Sequence, residues 1–184
     1  MTLTSLLLVA LSAALGALGW SLAEYWIHRE LGHHHTRNLF GKEHIAHHGK
    51  GDYFAAWWKK GGAALIAALL MIGPAVWLAG PAMGGAFVAG FVGFYLTYET
   101  IHRLEHVSEG VGPYARWARS HHFHHHFHNP RCNHGVTSPL WDHVFGTYEQ
   151  PAVVQVPRKM AMRWLCDPTT GEVRSHLRGR FALR

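Results

Sequence analysis

The chain has 184 residues, 48% of them hydrophobic, and a formal charge of +6. This length fits one domain, and the positive charge comes without a recognisable nucleic-acid-binding module, so we expect no nucleic-acid partner. The two cysteines, Cys132 and Cys166, form no C-x-x-C pair. We interpret them as reduced and incidental, which excludes a disulfide scaffold.

The distribution of charge favours a membrane protein. Six of the 17 Lys and Arg residues fall between Arg29 and Lys60 and eleven between Arg103 and Arg184, with none in the first 28 residues or in residues 61–102. The apolar run from Leu3 to Ile27 is long enough to cross a hydrocarbon core of roughly 30 Å. A cleaved signal peptide is the alternative, but such a segment begins with basic residues that this run lacks.

Two further apolar runs, Gly61–Gly80 and Gly84–Ile101, are separated by a short uncharged turn. They predict a helical hairpin in the membrane, although a buried helix pair in a soluble core would look similar. Small residues in the third run, at spacings that let helices approach closely, are Gly85, Ala86, Ala89, Gly90 and Gly93. Three spans would place both basic segments on one side, which the positive-inside rule makes the cytoplasm.

The first basic segment carries a histidine pair and a histidine triplet. His28 and His33 are five residues apart, so on an ideal α-helix they would diverge, and we expect a helix break at Gly32 to bring them together. The triplet His44, His47 and His48 follows with H-x-x-H-H spacing, which puts its members near one another on a helix.

The second half repeats this order of pair and triplet. We expect the third span to continue beyond the membrane as a helix with Glu99, His102 and His106 on one face. Glu99 is a candidate carboxylate for holding or bridging metal ligands, and a solvated interfacial acid is the equal alternative.

The segment Ser120–His128 holds six histidines in nine residues. His122, His125 and His126 repeat the H-x-x-H-H spacing, and so do His121, His124 and His125, which leaves the register open. A polyhistidine patch without function is the alternative for an isolated run. The recurrence of the same spacing at residues 44–48 argues against it.

A helix break at Asn129-Pro130 precedes the segment Gly135–Thr147, in which Asp142 could hold a ligand imidazole or only complement a helix dipole. We predict a membrane-embedded domain over residues 1–150 and a basic C-terminal tail over 151–184. The tail could lie on anionic headgroups or be loosely ordered. The fold class expected for the whole chain is all-α, with three transmembrane helices and a cytoplasmic helical cap.

Neutral imidazole suits iron, zinc, copper or nickel. Two pairs and two triplets supply too many ligands for one ion, since a structural zinc takes four, and about the number that two ions need. The predicted metal ligands are His28, His33, His44, His47, His48, His102, His106, His122, His125 and His126.

The four boxes H-x-x-x-x-H, H-x-x-H-H, H-x-x-x-H and H-x-x-H-H, closed by G-V-T-S-P-L-W-D-x-V-F-G-T, resemble the integral-membrane fatty acid hydroxylase and sterol desaturase superfamily. The resemblance covers roughly Trp26 to Tyr148. It supports the register with His122, because Phe127 follows the His-His pair as an aromatic does in the family. His143 is expected to be no ligand. His34, His35, His121, His124 and His128 are additional to the family pattern.

Family membership implies two iron ions, which zinc could replace in a purified preparation, and oxygen-dependent hydroxylation or desaturation of a fatty-acyl or sterol-like lipid. It also implies electrons from a separate haem or ferredoxin-type carrier and its reductase. Carotenoid hydroxylases and ketolases use similar boxes. A membrane metal-binding or metal-transport protein is the alternative from another class, although a transporter should hold its ligands near mid-membrane.

Overall fold

The computed structural model describes residues 2–184, which are mostly helical. The helices are α1 (Leu3–Trp26), a π-helix that continues α1 (Ile27–His34), α2 (Leu39–Lys50), α3 (Trp57–Val107), α4 (Gly112–Phe127) and α5 (Leu140–Val144). Two short 3₁₀ turns, Arg158–Met160 and Ser175–Leu177, and two strands, β1 (Val154–Val156) and β2 (Phe181–Leu183), follow. The helical class is confirmed, and the strand pair is an element that the all-α prediction lacked.

The chain forms two compact units. The first comprises the chain up to Glu24 together with Ala55–Glu99, and the second comprises Tyr25–Phe54 and Thr100–Arg184. The first unit therefore contains the apolar helices, and the second contains all the histidines of the four boxes.

In the first unit, α3 reverses direction at Gly80, whose φ of 77° lies in the left-handed region that glycine adopts without strain. The Tyr95 hydroxyl donates to the Lys60 carbonyl oxygen across 3.1 Å. In a straight helix these two residues would lie about 50 Å apart, at 1.5 Å per residue. Lys60 also forms an ion pair with Glu99. The two runs therefore form the predicted helical hairpin.

Glycines allow α1 to pack directly against the second limb of the hairpin. A Cβ atom on Gly90 would lie 2.0 Å from the Ala13 carbonyl oxygen, and one on Gly16 would lie 2.0 Å from the Phe87 carbonyl oxygen. Gly93, by contrast, has no atom within 4 Å of its Cβ position. Of the predicted small residues, Gly90 thus makes a close helix contact and Gly93 faces outward.

The apolar helices expose their side chains. Leu7, Leu69, Leu70, Trp77 and Leu78 are all more than half exposed. Two helical stretches, Leu3–His34 and Trp57–Val107, are long and apolar enough to span a membrane. In the most apolar 18-residue part of each stretch, the protein buries only 11% and 0% of the residues, respectively. A helix pair in a soluble core would be covered by protein, so this distribution is typical of a membrane protein.

In the second unit, α4 divides its faces between two environments. Phe123 and Phe127, four residues apart, pack on one face against a core formed by the C-terminal segment, which includes Val154, Leu165 and Phe181. Strands β1 and β2 pair in parallel, with Val154 opposite Phe181. Residues 154–183 are therefore folded rather than loosely ordered, because their apolar side chains cover this face of α4. The domain boundary at residue 150 stays a prediction.

The C-terminal end of α3 is held by side chains that bind its free carbonyl groups. The buried Arg119 guanidinium donates to the Leu104 and Ser108 carbonyl oxygens at 2.8 and 2.7 Å, and Trp164 Nε1 donates to the His106 carbonyl oxygen at 3.0 Å. These bonds satisfy acceptors that a helix end leaves without partners. They fix the turn of α3 that carries His102 and His106.

The contact of Gly90 predicts a selective effect of side-chain size. Gly90→Leu should lower the thermal unfolding midpoint in detergent by several degrees, because the side chain would collide with the α1 backbone and overpacking costs about 1–3 kcal/mol or more. Gly93→Leu is the matched control and should leave the midpoint nearly unchanged. Equal midpoints for the two variants would contradict the helix contact.

Candidate metal centre

The first histidine pair is brought together by a change of helix type. Ile27–His34 is a π-helix, in which hydrogen bonds join residues five apart, so His28 and His33 lie nearly above one another. Their ring centroids are 5.3 Å apart. The predicted break at Gly32 is wrong. Gly32 is needed for space instead, since a Cβ atom there would lie 2.9 Å from the His44 ring.

The structure gathers all ten predicted histidines into two groups of five, with the ligand atoms of each group within 4.8 Å of one another. The first group consists of His28, His33, His44, His48 and His125, and the second consists of His47, His102, His106, His122 and His126. Every box therefore contributes to a cluster that could hold a metal ion.

The H-x-x-H-H spacing distributes each triplet over both groups. In α2, His44 and His48 are four residues apart and share one face, which serves the first group, while His47 points to the second. In α4 the pair His122 and His126 serves the second group, and His125 serves the first. Each triplet helix thus lies between the two groups and joins them.

Backbone carbonyl groups fix the orientation of three of these rings. His28 Nδ1 donates to the His134 carbonyl oxygen at 2.6 Å, His47 Nδ1 to that of Tyr53 at 2.7 Å, and His125 Nδ1 to that of Cys132 at 2.7 Å. A neutral imidazole with its proton on Nδ1 has a lone pair on Nε2. These rings are therefore oriented with Nε2 available to a metal.

The Nε2 atoms crowd together in both groups. His33 Nε2 lies 2.9 Å from Nε2 of both His44 and His125, and His106 Nε2 lies 2.9 Å from His122 Nε2. His28 Nε2 is buried without a hydrogen-bond partner among the described residues. Neutral rings cannot all donate to one another here, whereas a cation would satisfy the converging lone pairs. The residues present therefore fit a metal ion in each group.

Burial keeps these imidazoles neutral. It lowers the pKa of His44, His48, His122, His125 and His126 well below the usual value, and neighbouring imidazoles lower it further. Metal ligation requires the neutral form. The electrostatics of the site therefore favour ligation over protonation.

The two groups lie next to each other. His48 of the first group and His126 of the second stack face to face, with ring centroids 4.0 Å apart and planes inclined by 2°. Two ions held by these groups would share one site rather than occupy separate ones.

The additional histidines lie outside both groups. His121 Nε2 is 3.4 Å from the Asp142 carboxylate, and His124 Nε2 is 2.9 Å from that of Glu149. The side chain of His35 is 77% exposed. The structure thus turns His122, His125 and His126 toward the metal groups, and turns His121 and His124 to carboxylates.

The two predicted carboxylates have other contacts. Glu99 pairs with Lys60 in the hairpin, and its role beside a metal stays a prediction. Asp142 is fully buried and accepts from the amides of His134 and Gly135, both at 2.8 Å. Because the His134 carbonyl oxygen accepts from His28 Nδ1, Asp142 is connected to the His28 ring through the backbone of His134 rather than directly.

Two residues near the groups were missed from the sequence. Glu105 is 1% exposed and its carboxylate lies 3.8 Å from His122 Nδ1. Its position inside the box H-R-L-E-H is a signal that could have identified it. The His134 ring lies 5.3 to 5.5 Å from those of His125 and His28, and burial lowers its pKa to about 4. No spacing pattern marks His134, because a loop places it.

The exposed apolar helices and the two histidine groups define a helical membrane protein with a histidine-rich candidate metal centre. The chain belongs to the fatty acid hydroxylase family, since the sequence model of that family matches residues 13–147. This confirms the resemblance that the histidine boxes indicated.

Named relatives agree with the family. The dihydroceramide fatty acyl 2-hydroxylase FAH2 of Arabidopsis thaliana is 30% identical over 153 residues, which are 76% of this chain and 61% of that protein. The ceramide very long chain fatty acid hydroxylase SCS7 of Saccharomyces cerevisiae is 30% identical over 158 residues, 74% of this chain and 37% of that protein. Human fatty acid 2-hydroxylase is 29% identical over 141 residues, 72% of this chain and 38% of that protein.

A solved structure of full-length scs7p, in which only the hydroxylase domain is visible, is similar in fold. It has a TM-score of 0.65 and 28% identity, and the match covers 79% of this chain and 58% of that one. The chain thus spans less than two thirds of the length of these relatives.

The two registers of the last box predict different metal contents. His122→Gln should reduce the metal bound per purified chain, because His122 belongs to the second group. His121→Gln is the matched control and should retain full metal, since its ring faces Asp142. Metal analysis of both variants decides, and a greater loss from His121→Gln would shift the box by one residue.

Proposed function

We propose that this chain is a membrane-bound di-iron hydroxylase that converts a C–H bond of a fatty-acyl lipid to C–OH with dioxygen. The observation that carries the proposal is the pair of adjacent five-histidine groups with converging Nε2 atoms. The relatives are named fatty acyl and ceramide fatty acid hydroxylases, which supports a fatty-acyl substrate and carbon 2 as the position of oxidation.

The proposed reaction inserts one oxygen atom into the lipid and reduces the other to water, which consumes two electrons and two protons. The electrons come from a separate haem or ferredoxin-type carrier and its reductase. Two iron ions supply the oxygen chemistry that no side chain of this chain could supply. Zinc could occupy the same imidazoles without that chemistry, because both metals accept nitrogen ligands.

In this proposal, the residues of the chain hold the metal ions and orient the imidazoles that bind them. The His134 and Cys132 carbonyl oxygens fix the tautomers of His28 and His125, so that each ring offers Nε2. The buried Glu105 carboxylate near His122 Nδ1 would favour a proton on that nitrogen and strengthen the donor on the other. Burial excludes water from the imidazoles, which limits side reactions at the metals.

Replacement of a histidine in either group should reduce hydroxylation activity and metal content together. In cells that express the chain, mass spectrometry of total lipid should show fatty-acyl products with one added oxygen, and purified protein grown with iron should hold about two ions per chain. His47→Ala should abolish the product and reduce bound metal, because an open position in the second group disrupts the site.

The matched control is His35→Ala, which replaces an exposed histidine and should leave both measurements unchanged. Desaturated lipids or oxidised carotenoids in place of hydroxylated acyl chains would show that the chain catalyses a different reaction from the one proposed. If the unaltered chain gives no lipid product and both variants lose part of their bound metal, the chain is better explained as a metal-binding or transport protein.

We also propose that the hairpin and α1 form three membrane spans, with the Gly80–Gly84 turn outside and both histidine-bearing segments in the cytoplasm. The support is the charge pattern, since the basic residues lie in Arg29–Lys60 and Arg103–Arg184. The reversal of α3 at Gly80 divides this helix into two apolar limbs, which supports the proposal of a second and a third span.

Labelling of introduced cysteines tests this topology. An impermeant maleimide should label Ala82→Cys in intact cells, because that exposed residue follows the reversal at Gly80, which the proposal places outside the cell. Asp52→Cys, an exposed residue between α2 and α3, should be labelled only after permeabilisation. Labelling in the opposite order would invert the orientation, and equal labelling in intact cells would refute three spans.

A further inference from the structure

A third set of metal-type donors lies outside the two histidine groups. His124 Nε2, Cys132 Sγ and a Glu149 carboxylate oxygen lie within 4.8 Å of one another. His124 and Cys132 are 6% and 3% exposed, whereas the Glu149 side chain is 47% exposed. The nitrogen and sulfur donors are thus buried in the protein, and the carboxylate oxygen belongs to a side chain that solvent can reach.

The fold holds these three donors from different segments. His124 lies on α4, and Cys132 follows in the loop after α4. Asn133 ties this loop to the segment after α5, because its side chain accepts from the Glu149 amide at 2.8 Å and donates to the Glu149 carbonyl oxygen at 2.9 Å. The arrangement is therefore fixed by side-chain contacts that do not use the donors themselves.

We propose that His124, Cys132 and Glu149 bind a third metal ion, a divalent cation of borderline softness such as Zn²⁺, separate from the two histidine groups. Three protein ligands with a water in the fourth position match tetrahedral zinc coordination. Binding replaces two hydrogen bonds, that of His124 Nε2 to Glu149 at 2.9 Å and that of the Cys132 thiol to the Asn129 carbonyl oxygen at 3.1 Å. The thiol proton passes to solvent as the metal–sulfur bond forms.

Charge favours a divalent ion at this position. A thiolate and a carboxylate carry two negative charges, which a divalent cation neutralises, so the bound site adds no net charge to a largely buried location. The other Glu149 oxygen accepts from Asn129 Nδ2 at 2.9 Å, which orients the carboxylate while leaving one oxygen for the ion. Calcium and magnesium are disfavoured because they prefer oxygen ligands.

The consequence of binding is structural. The Cys132 carbonyl oxygen accepts from His125 Nδ1 at 2.7 Å, so an ion that holds the Cys132 side chain also holds the carbonyl group that orients His125. The third ion would stabilise the first histidine group without touching a lipid or taking part in oxygen chemistry.

Cobalt(II) distinguishes this site from the two histidine groups, because a thiolate ligand gives cobalt a strong near-ultraviolet charge-transfer absorption that imidazole and carboxylate do not. The purified full chain loaded with Co²⁺ alone should show this absorption. Cys132→Ser should abolish it, while the visible cobalt bands of the histidine groups persist. Cys166→Ser is the matched control and should keep it.

The spectrum of the unaltered chain is decisive by itself. If it lacks the thiolate absorption while the visible bands show that cobalt is bound, the three side chains form a hydrogen-bonded cluster only, and the third site is refuted. Survival of the absorption in Cys132→Ser, or its loss in Cys166→Ser, also refutes it. Glu149→Gln should weaken cobalt binding at this site alone. These readouts do not depend on lipid hydroxylation, so failure of the proposed function would leave them interpretable.

Discussion

The second unit depends on a conflict among lone pairs. Three neutral imidazoles, those of His28, His47 and His125, donate through Nδ1 and so offer Nε2 lone pairs. Contacts of 2.9 Å join further Nε2 atoms in both groups, and there is not a proton for every such contact. Buried polar atoms without partners are costly. Cations in both groups remove that cost, so the metal-bound state should be the stable form of this unit.

Other parts of the second unit hold the histidine-bearing helices α3 and α4 in place. Arg119 and Trp164 bind the final carbonyl groups of α3, and the C-terminal core covers the Phe123 face of α4. Helices α3 and α4, which carry candidate ligands, are thus held by contacts that do not use the histidine side chains. The aromatic residues of α4 and the strand pair are as much a part of the site's rigidity as the imidazoles are.

Local sequence patterns made the helical class, the hairpin and the set of histidines that come together predictable. The division of each triplet between two groups was not predicted, because helix spacing alone places its three imidazoles near one spot. The family resemblance followed from the boxes in combination and is confirmed by the family match. Neither the three spans, the orientation nor the metal roles of individual histidines are tested by fold or relatives, and they stay proposals. Long-range packing explains what was missed. The fold of residues 154–183 depends on the Phe123 face of α4, which lies much earlier in the chain. The position of Glu105 inside the box H-R-L-E-H marks it in the sequence, but its burial beside His122 comes from packing between α3 and α4.

The π-helix at Ile27–His34 relates the two histidine pairs to each other. His102 and His106 are four residues apart on an α-helix, and His28 and His33 are five apart on a π-helix, so each pair spans about one turn of its own helix. The longer box is equivalent to the shorter one with a single inserted residue. A one-residue insertion, which would rotate every later side chain of an α-helix by about 100°, is absorbed here as a local widening that keeps both imidazoles in place. The length of each box therefore reports the local helix type, and a comparison of the two boxes that treats the extra residue as a one-residue gap aligns the two histidine pairs.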